Sequence, residues 1–299
     1  MLKSELKTSF LRILFILFCT YYFINSQGQT YELYPYSISQ TFNQQGLINS
    51  AISIDTNFFE VDFTNRTLIG VFNGVSQNYL STYISSKVNN TRHTFGLMAV
   101  NKNEGDYIKR NRLYLRYGVQ VALSKKSKVS LGSSFGFINY LFESSVANGG
   151  GSALAKVLNI GVVYSFSKLN IGASVNQLFY PELSPLNERI VLTRYYNTNI
   201  CYNILVNKSL YFDTYAFTSF YEEGLLTMKL SVISVLNSHF QVGAGYNYNH
   251  GIDAYLGFKK FKISDSNFDF MVSFLAYNTR KLSSNTDSSV EFSIRYFIE

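Results

Sequence analysis

Tryptophan is absent from this 299-residue chain, and histidine, proline and cysteine nearly so, at three, three and two residues. Each shortage closes off a class of function. A nucleophilic Ser or Thr needs a histidine that a third polar group orients, and only His93, His239 and His250 are available. His93 keeps register with Phe95 and Leu97, His239 opens a strand after a short turn, and His250 sits in Asn249-His250-Gly251, a turn sequence. None is placed as a base, so no catalytic residue is expected. Three isolated histidines and a lone mature cysteine, Cys201, give no ligand spacing and no intramolecular disulfide, so the expected metal and cofactor content is none. The run Asn148-Gly149-Gly150-Gly151-Ser152 lacks the Lys-Ser/Thr of a phosphate-binding loop and reads as an outer loop.

Charge is scarce too. Charged residues make up 15% of the chain, where a soluble domain carries about a quarter. The formal charge is +7, of which Lys3, Lys7 and Arg12 against Glu5 put +2 in the first 28 residues and leave about +5. That excess is spread out, whereas nucleic-acid binding gathers basic residues on one face. No nucleic acid is expected as a partner; anionic headgroups or an acidic protein segment suit the charge better.

What the chain has is aromatic residues, 24 Tyr and 26 Phe. Tyr suits a wall that meets lipid, because its ring lies in hydrocarbon while its hydroxyl reaches the headgroups. Residues 1–28 have a basic start, an apolar core from Leu11 to Ile24 and small residues at Ser26 and Gly28, the pattern of a secretory signal peptide. Residues 29–65 show no sustained period and read as a periplasmic N-terminal segment with one short strand at Phe58 to Phe63.

From Arg66 onward, strand candidates recur, beginning with 66–73, 79–87, 92–100 and 112–123 and ending with 289–298. Leu113, Leu115, Tyr117, Val119 and Val121 share one face, opposite Arg112, Tyr114, Arg116 and Gln120; Val290, Phe292, Ile294 and Tyr296 oppose Glu291, Ser293 and Arg295. Long connections, at 101–111, 141–155, 179–193 and 278–288, all follow odd-numbered strands. That parity belongs to outer-membrane barrels, with short periplasmic turns and long outer loops. The expected fold is therefore all-β: a transmembrane antiparallel β-barrel of about 14 strands over residues 66–299.

Ser39-Gln40, eight residues, then Asn49-Ser50-Ala51 resembles the Ser-Gln-x8-Asn-Pro-Ala opening of PorP/SprF-like proteins, which belong to the type IX secretion and gliding-motility systems of Bacteroidota. Asn65-Arg66 with Gly74 to Ser81, Phe95 to Asn101 with Gly105, the strand Leu113 to Leu123, and Arg194-Tyr195-Tyr196 are similar to further stretches of that family. Ser50 stands where the family usually has Pro, and Ile69 where it commonly has Trp. The resemblance implies an outer-membrane barrel that helps export or surface-anchor a secreted substrate or adhesin with a C-terminal sorting domain. It also implies a periplasmic partner, a peptidoglycan-binding lipoprotein, reached through residues 29–65, and family-motif roles for Ser39, Gln40, Asn49 and Ala51. The alternative is a passive porin or a hydrophobic-solute transporter on the same wall.

Charges on the presumed inner face must avoid lipid, because Arg or Lys at mid-bilayer costs about 2–4 kcal/mol. They either pair across the interior or, at Arg66, Arg116, Lys229 and Arg295, line a cavity for an acidic partner segment. A second binding candidate is the outer loop, where Phe179, Tyr180, Leu183 and Leu186 with Pro181 and Pro185 form a stiff apolar surface; its alternative is a loop folded over the barrel mouth. Glycines inside strands, among them Gly132, Gly161 and Gly172, relieve crowding on a curved wall or against a filled lumen.

Overall fold

A computed structural model describes residues 38–53, 58–69, 74–143, 150–185, 189–222, 224–248, 251–263, 266–277 and 288–298. The expected signal peptide and residues 29–37 lie outside the described residues, as does Leu186. In chain order the elements are α1 (Gln45–Ile48), β1 (Phe59–Ile69), β2 (Val75–Val88), β3 (Thr91–Glu104), β4 (Ile108–Ala122), β5 (Ser127–Phe142), β6 (Gly151–Phe166), β7 (Leu169–Asn176), β8 (Glu182–Leu183), β9 (Ile190–Val191), β10 (Tyr195–Leu205), β11 (Leu210–Tyr221), β12 (Gly224–Leu236), β13 (Phe240–Asn247), β14 (Gly251–Ile263), β15 (Ser266–Tyr277) and β16 (Ser288–Ile298).

Fourteen of these strands form a closed antiparallel barrel, with β7 pairing β10 and β1 pairing β16; β8 and β9 form a separate two-stranded hairpin. Closure leaves no open sheet edge running the length of the wall, which hydrocarbon would not tolerate. The alternation expected from the sequence decides which face looks out. Leu115 is 65% exposed and Phe95 57%, while Arg112, Arg116, Gln120 and Glu291 are buried inside. A soluble sandwich would bury the first set and expose the second.

Both ends of the wall, Phe59 and Ile298, lie at one rim together with the turns at 89–90, 123–126, 167–168, 206–209 and 237–239. Outer-membrane barrels keep such short turns in the periplasm, which puts Phe142, Asn176, Tyr195, Tyr277 and Ser288, the opposite strand ends, at the outer rim.

The structure corrects three boundaries. The barrel begins at Phe59 rather than Arg66, because Glu60, Asp62 and Thr64 alternate inward with outward Phe59, Val61 and Phe63 and pair with both β2 and β16. The expected loop 101–111 is a tight turn at 105–107: polar residues continue β3 and β4 as strand, pairing Asn101 with Asn111 and Glu104 with Ile108. Residues 38–53 of the expected periplasmic segment lie inside the barrel, where Ile38, Gln40, Asn49 and Ala51 are 0–1% exposed. A short polar stretch without its own core reaches that burial only by using the wall as its partner.

Candidate functional site

Residues 38–53 cross the lumen as a plug, and the wall is shaped to hold them. At one end the backbone N–H groups of Ser39 and Gln40 both donate to the Glu291 carboxylate, at 2.8 Å each. Gln40 Nε2 adds bonds to Ser273 Oγ and the Glu291 carbonyl, both at 3.2 Å. Charge-assisted acceptance of two backbone donors is among the stronger hydrogen-bond arrangements.

At the other end Asn49 Nδ2 donates to the carbonyls of Val162 and Ala173 and to Asn199 Oδ1, at 3.2, 3.3 and 3.2 Å, while its Oδ1 accepts from Ala51 N at 2.9 Å. Those partners stand on β6, β7 and β10. Glu291 stands on β16, which is seven strands from β7 in either direction around the barrel. The eight residues between Gln40 and Asn49 thus span the lumen from wall to opposite wall.

The wall under the Asn49 end is cut back to receive it. Gly118, Gly132 and Gly161 are neighbours on β4, β5 and β6, and the row continues through Ser174 and Asn197 on β7 and β10. A Cβ on Gly132 would overlap the Ser50 carbonyl, and one on Gly161 would overlap Asn49 Oδ1. Where the row regains side chains they bind the plug: Ser174 Oγ and Asn197 Nδ2 donate to the Ile48 carbonyl at 2.7 and 2.8 Å. Ser50, at the position usually occupied by Pro in the family, adds an Oγ bond to Ser134 Oγ at 3.0 Å.

Three of the four lumen cations singled out in the sequence grip plug carbonyls. Arg116 Nε donates to Ser50 O at 2.7 Å, Arg295 Nη2 to Asn43 O at 2.9 Å, and the Lys229 ammonium to Ile38 O. Arg66 instead bonds Ser289 Oγ at 3.2 Å and stands opposite Glu291 in register. The chain's own segment thus occupies the lumen beside Arg116, Lys229 and Arg295, where an acidic partner was expected. A buried cation held this way satisfies carbonyls that would otherwise be orphaned.

The two sides of the plug differ. Toward the outer rim, Ile38 and Leu47 pack with Tyr79, Met98, Val100, Ile138, Tyr140 and Val157, joined from the outer loop by Leu183 and Leu192. Leu183 is 2% exposed, so it belongs to this internal cluster and not to an outer binding face; burial of its side chain draws the β8–β9 hairpin into the mouth. Toward the periplasmic rim a polar cavity of about 230 Å³ remains. Its carboxylates are paired: Arg295 reaches Asp62 at 2.7 Å, Glu60 at 3.5 Å and Asp269 at 3.6 Å, and Lys259 reaches Asp213 at 3.3 Å.

On the outer loop Phe179 is 73% exposed. It sits between Gln177 and Tyr180, which hold left-handed backbone angles of φ 56° and 48°, a strained state for non-glycine residues that surrounding contacts must maintain. Those contacts are present. Tyr180 N donates to Gln177 O at 3.1 Å, and Arg194 donates twice to Leu178 O, at 3.1 and 2.6 Å, with its guanidinium 4.5 Å from the Tyr180 ring centroid. The Tyr180 hydroxyl donates to Glu222, which raises its pKa. Among the described residues no three His, Cys, Asp or Glu side chains come together as metal ligands.

A closed outer-membrane-type β-barrel plugged by its own N-terminal segment is the class of protein this architecture defines. Residues 31–296 match the family described as type IX secretion system membrane protein PorP/SprF, and the chain belongs to that family. It is accordingly an outer-membrane protein of type IX secretion. No curated protein matches it. Among solved structures, the CymD monoaromatic hydrocarbon channel is similar with a TM-score of 0.56 at 10% identity, covering 86% of this chain and 93% of that one. The toluene transporter TodX of Pseudomonas putida gives 0.51 at 12% identity, covering 85% and 93%. At such identities the likeness is one of fold.

Of the motif residues, Ser39 and Gln40 anchor the plug at one wall and Asn49 at the opposite one, while Ala51 donates to Asn49 within the plug. Their counterparts in the wall, Glu291, Ser174, Asn197 and Asn199, were not singled out for this role in the sequence. The usable signal was the placement of inward glycines and small polar residues at one level on successive strands.

Proposed function

We propose that this barrel captures a secreted protein with a C-terminal sorting domain at its outer mouth, by binding and not by catalysis, while the plug keeps its lumen closed. The observation that carries this reading is Phe179, an exposed aromatic on a turn already braced in one conformation. A ring presented this way loses little entropy on binding, and aromatic anchors supply much of the energy of protein interfaces.

The lumen cations contribute indirectly, by fixing the plug. The polar cavity at the periplasmic rim is the surface left for a periplasmic partner such as a peptidoglycan-binding lipoprotein, a contact expected from the sequence at residues 29–65. Hydrophobic-solute transport, the alternative, would require residues 38–53 to leave the lumen.

Affinity purification from the native outer membrane tests the proposal. The wild-type barrel is expected to bring down an exported protein with a C-terminal sorting domain, and Phe179→Ala to lower its recovery. Loss of an aromatic anchor worth about 2 kcal/mol is roughly thirtyfold in affinity. Repeated recovery of the barrel alone, or undiminished capture by the variant, contradicts it.

A further inference from the structure

Five asparagines line up on the outside of the wall. Asn65, Asn78, Asn101, Asn111 and Asn139, one on each of β1 to β5, are direct cross-strand partners in register. They share the outward face of their strands, since the residues flanking each of them in sequence, such as Arg66, Gln77, Val100, Arg112 and Ile138, are buried inside. Each lies three or four residues from the outer end of its strand, so the row follows the outer rim. Neighbouring strands are about 4.8 Å apart, which makes the row roughly 19 Å long.

The amides bond in one direction: Asn65 Nδ2 donates to Asn78 Oδ1 at 2.8 Å, Asn78 to Asn101 at 3.4 Å, and Asn101 to Asn111 at 2.8 Å. The relay stops there, and the Asn111 and Asn139 amide nitrogens donate to no other described residue. One step toward the periplasm the outward row changes to Phe63, Leu80, Ala99, Leu113 and Phe137. A groove of about 540 Å³ joins the two levels, with Leu80, Leu113 and Phe137 below, Asn78, Asn101, Asn111 and Asn139 above, and Leu154 of β6, the partner of Asn139, ending the upper row.

We propose that this shelf is a binding site for a glycolipid of the outer leaflet, with an acyl chain in the apolar groove and the sugar headgroup on the asparagine row. The occupant must be amphipathic, because apolar and polar levels meet within one groove placed where hydrocarbon gives way to headgroups. The polar level carries no charge. Carboxamides offer donors and acceptors together, which suits sugar hydroxyls, whereas a site for a phosphodiester headgroup would place Arg or Lys in the row. Lys109, on the next row outward, is paired with Glu143. The site is independent of the type IX reading, because it uses only the lipid-facing wall.

The test is native mass spectrometry of the full-length barrel released from liposomes of phosphatidylethanolamine containing lipid A stripped of its phosphates, so that its headgroup is an uncharged disaccharide. Wild type is expected to retain lipid A selectively, and the Asn101→Leu/Asn111→Leu double variant to lose it at least about fivefold with phosphatidylethanolamine retention unchanged. Asn139→Ala, which removes no ladder bond, is expected to weaken retention in the same direction and covers the case in which the double variant fails to insert. Equal retention of lipid A by wild type and these variants, or a parallel fall in both lipids, overturns the proposal.

Discussion

Asn49 presses its side-chain oxygen against the inner face of Gly161, at a place where any Cβ would overlap it. A motif residue of the N-terminal segment and a wall glycine more than a hundred positions later are thus two halves of one fit. Gly161→Val is expected to leave the barrel assembled, since Gly161 pairs within a continuous ladder to β5 and β7, but to force the plug from its seat. In planar bilayers the variant should conduct where wild type does not; a closed variant would show that the plug yields without leaving.

Losing an anchor should loosen the plug without touching the wall. Asn49→Ala removes three donated bonds and one accepted bond, and Arg116→Met removes the bond to Ser50 O. Each change leaves buried polar groups unpaired, at a cost of about 1–3 kcal/mol. Hydrogen exchange should rise roughly 5- to 150-fold for amides of residues 38–53 and stay constant in β12 to β15. Uniform acceleration across the barrel would mean that plug and wall unfold together.

Leu183 is the fully buried apolar anchor on the β8 side of the outer hairpin. Leu183→Asp would bury an unpaired carboxylate among Tyr140, Val157 and Leu192, so the β8–β9 hairpin should leave the mouth and become protease-sensitive at 182–192. Protection equal to wild type would mean that Leu183 does not hold it.

Acid should act on the same hairpin. The Arg189 guanidinium, hydrogen-bonded to the Glu182 carboxylate, holds the Glu182 pKa below the ordinary glutamate value. A lowered pKa contributes stability present above the ordinary value and lost as pH falls through the lowered one. Both side chains are exposed, so the effect is small. Exchange at residues 190–192, corrected for its intrinsic pH dependence, should accelerate below about pH 4 in wild type but not in Glu182→Gln. Parallel profiles would remove the pair from the account.

The wall was legible because strand alternation survives burial on either side: Leu113 to Val121 and Val290 to Tyr296 face lipid as their pattern required. Strand ends were harder. The asparagines and charged residues that extend β3 and β4 past the apolar band have the composition of a loop, and only cross-strand pairing makes them strand. The plug was legible as a motif but not as a location, because residues 38–53 have no period of their own and take their shape from Glu291, Gly132, Gly161 and Asn197, distant in sequence. At Leu183 the sequence leaves a contact surface and a loop folded over the mouth both open, because the two share one composition, and only its burial separates them.

Ser50 Oγ and Ser134 Oγ, 3.0 Å apart, place plug and wall close enough for a disulfide to test the account directly. In a Cys201→Ser background, Ser50→Cys/Ser134→Cys should oxidise to a linked 50–134 peptide pair in the membrane-inserted protein, identified by mass spectrometry after digestion. Both thiols remaining free, while a control pair across β4 and β5 links, would place the N-terminal segment outside the barrel and contradict the central claim.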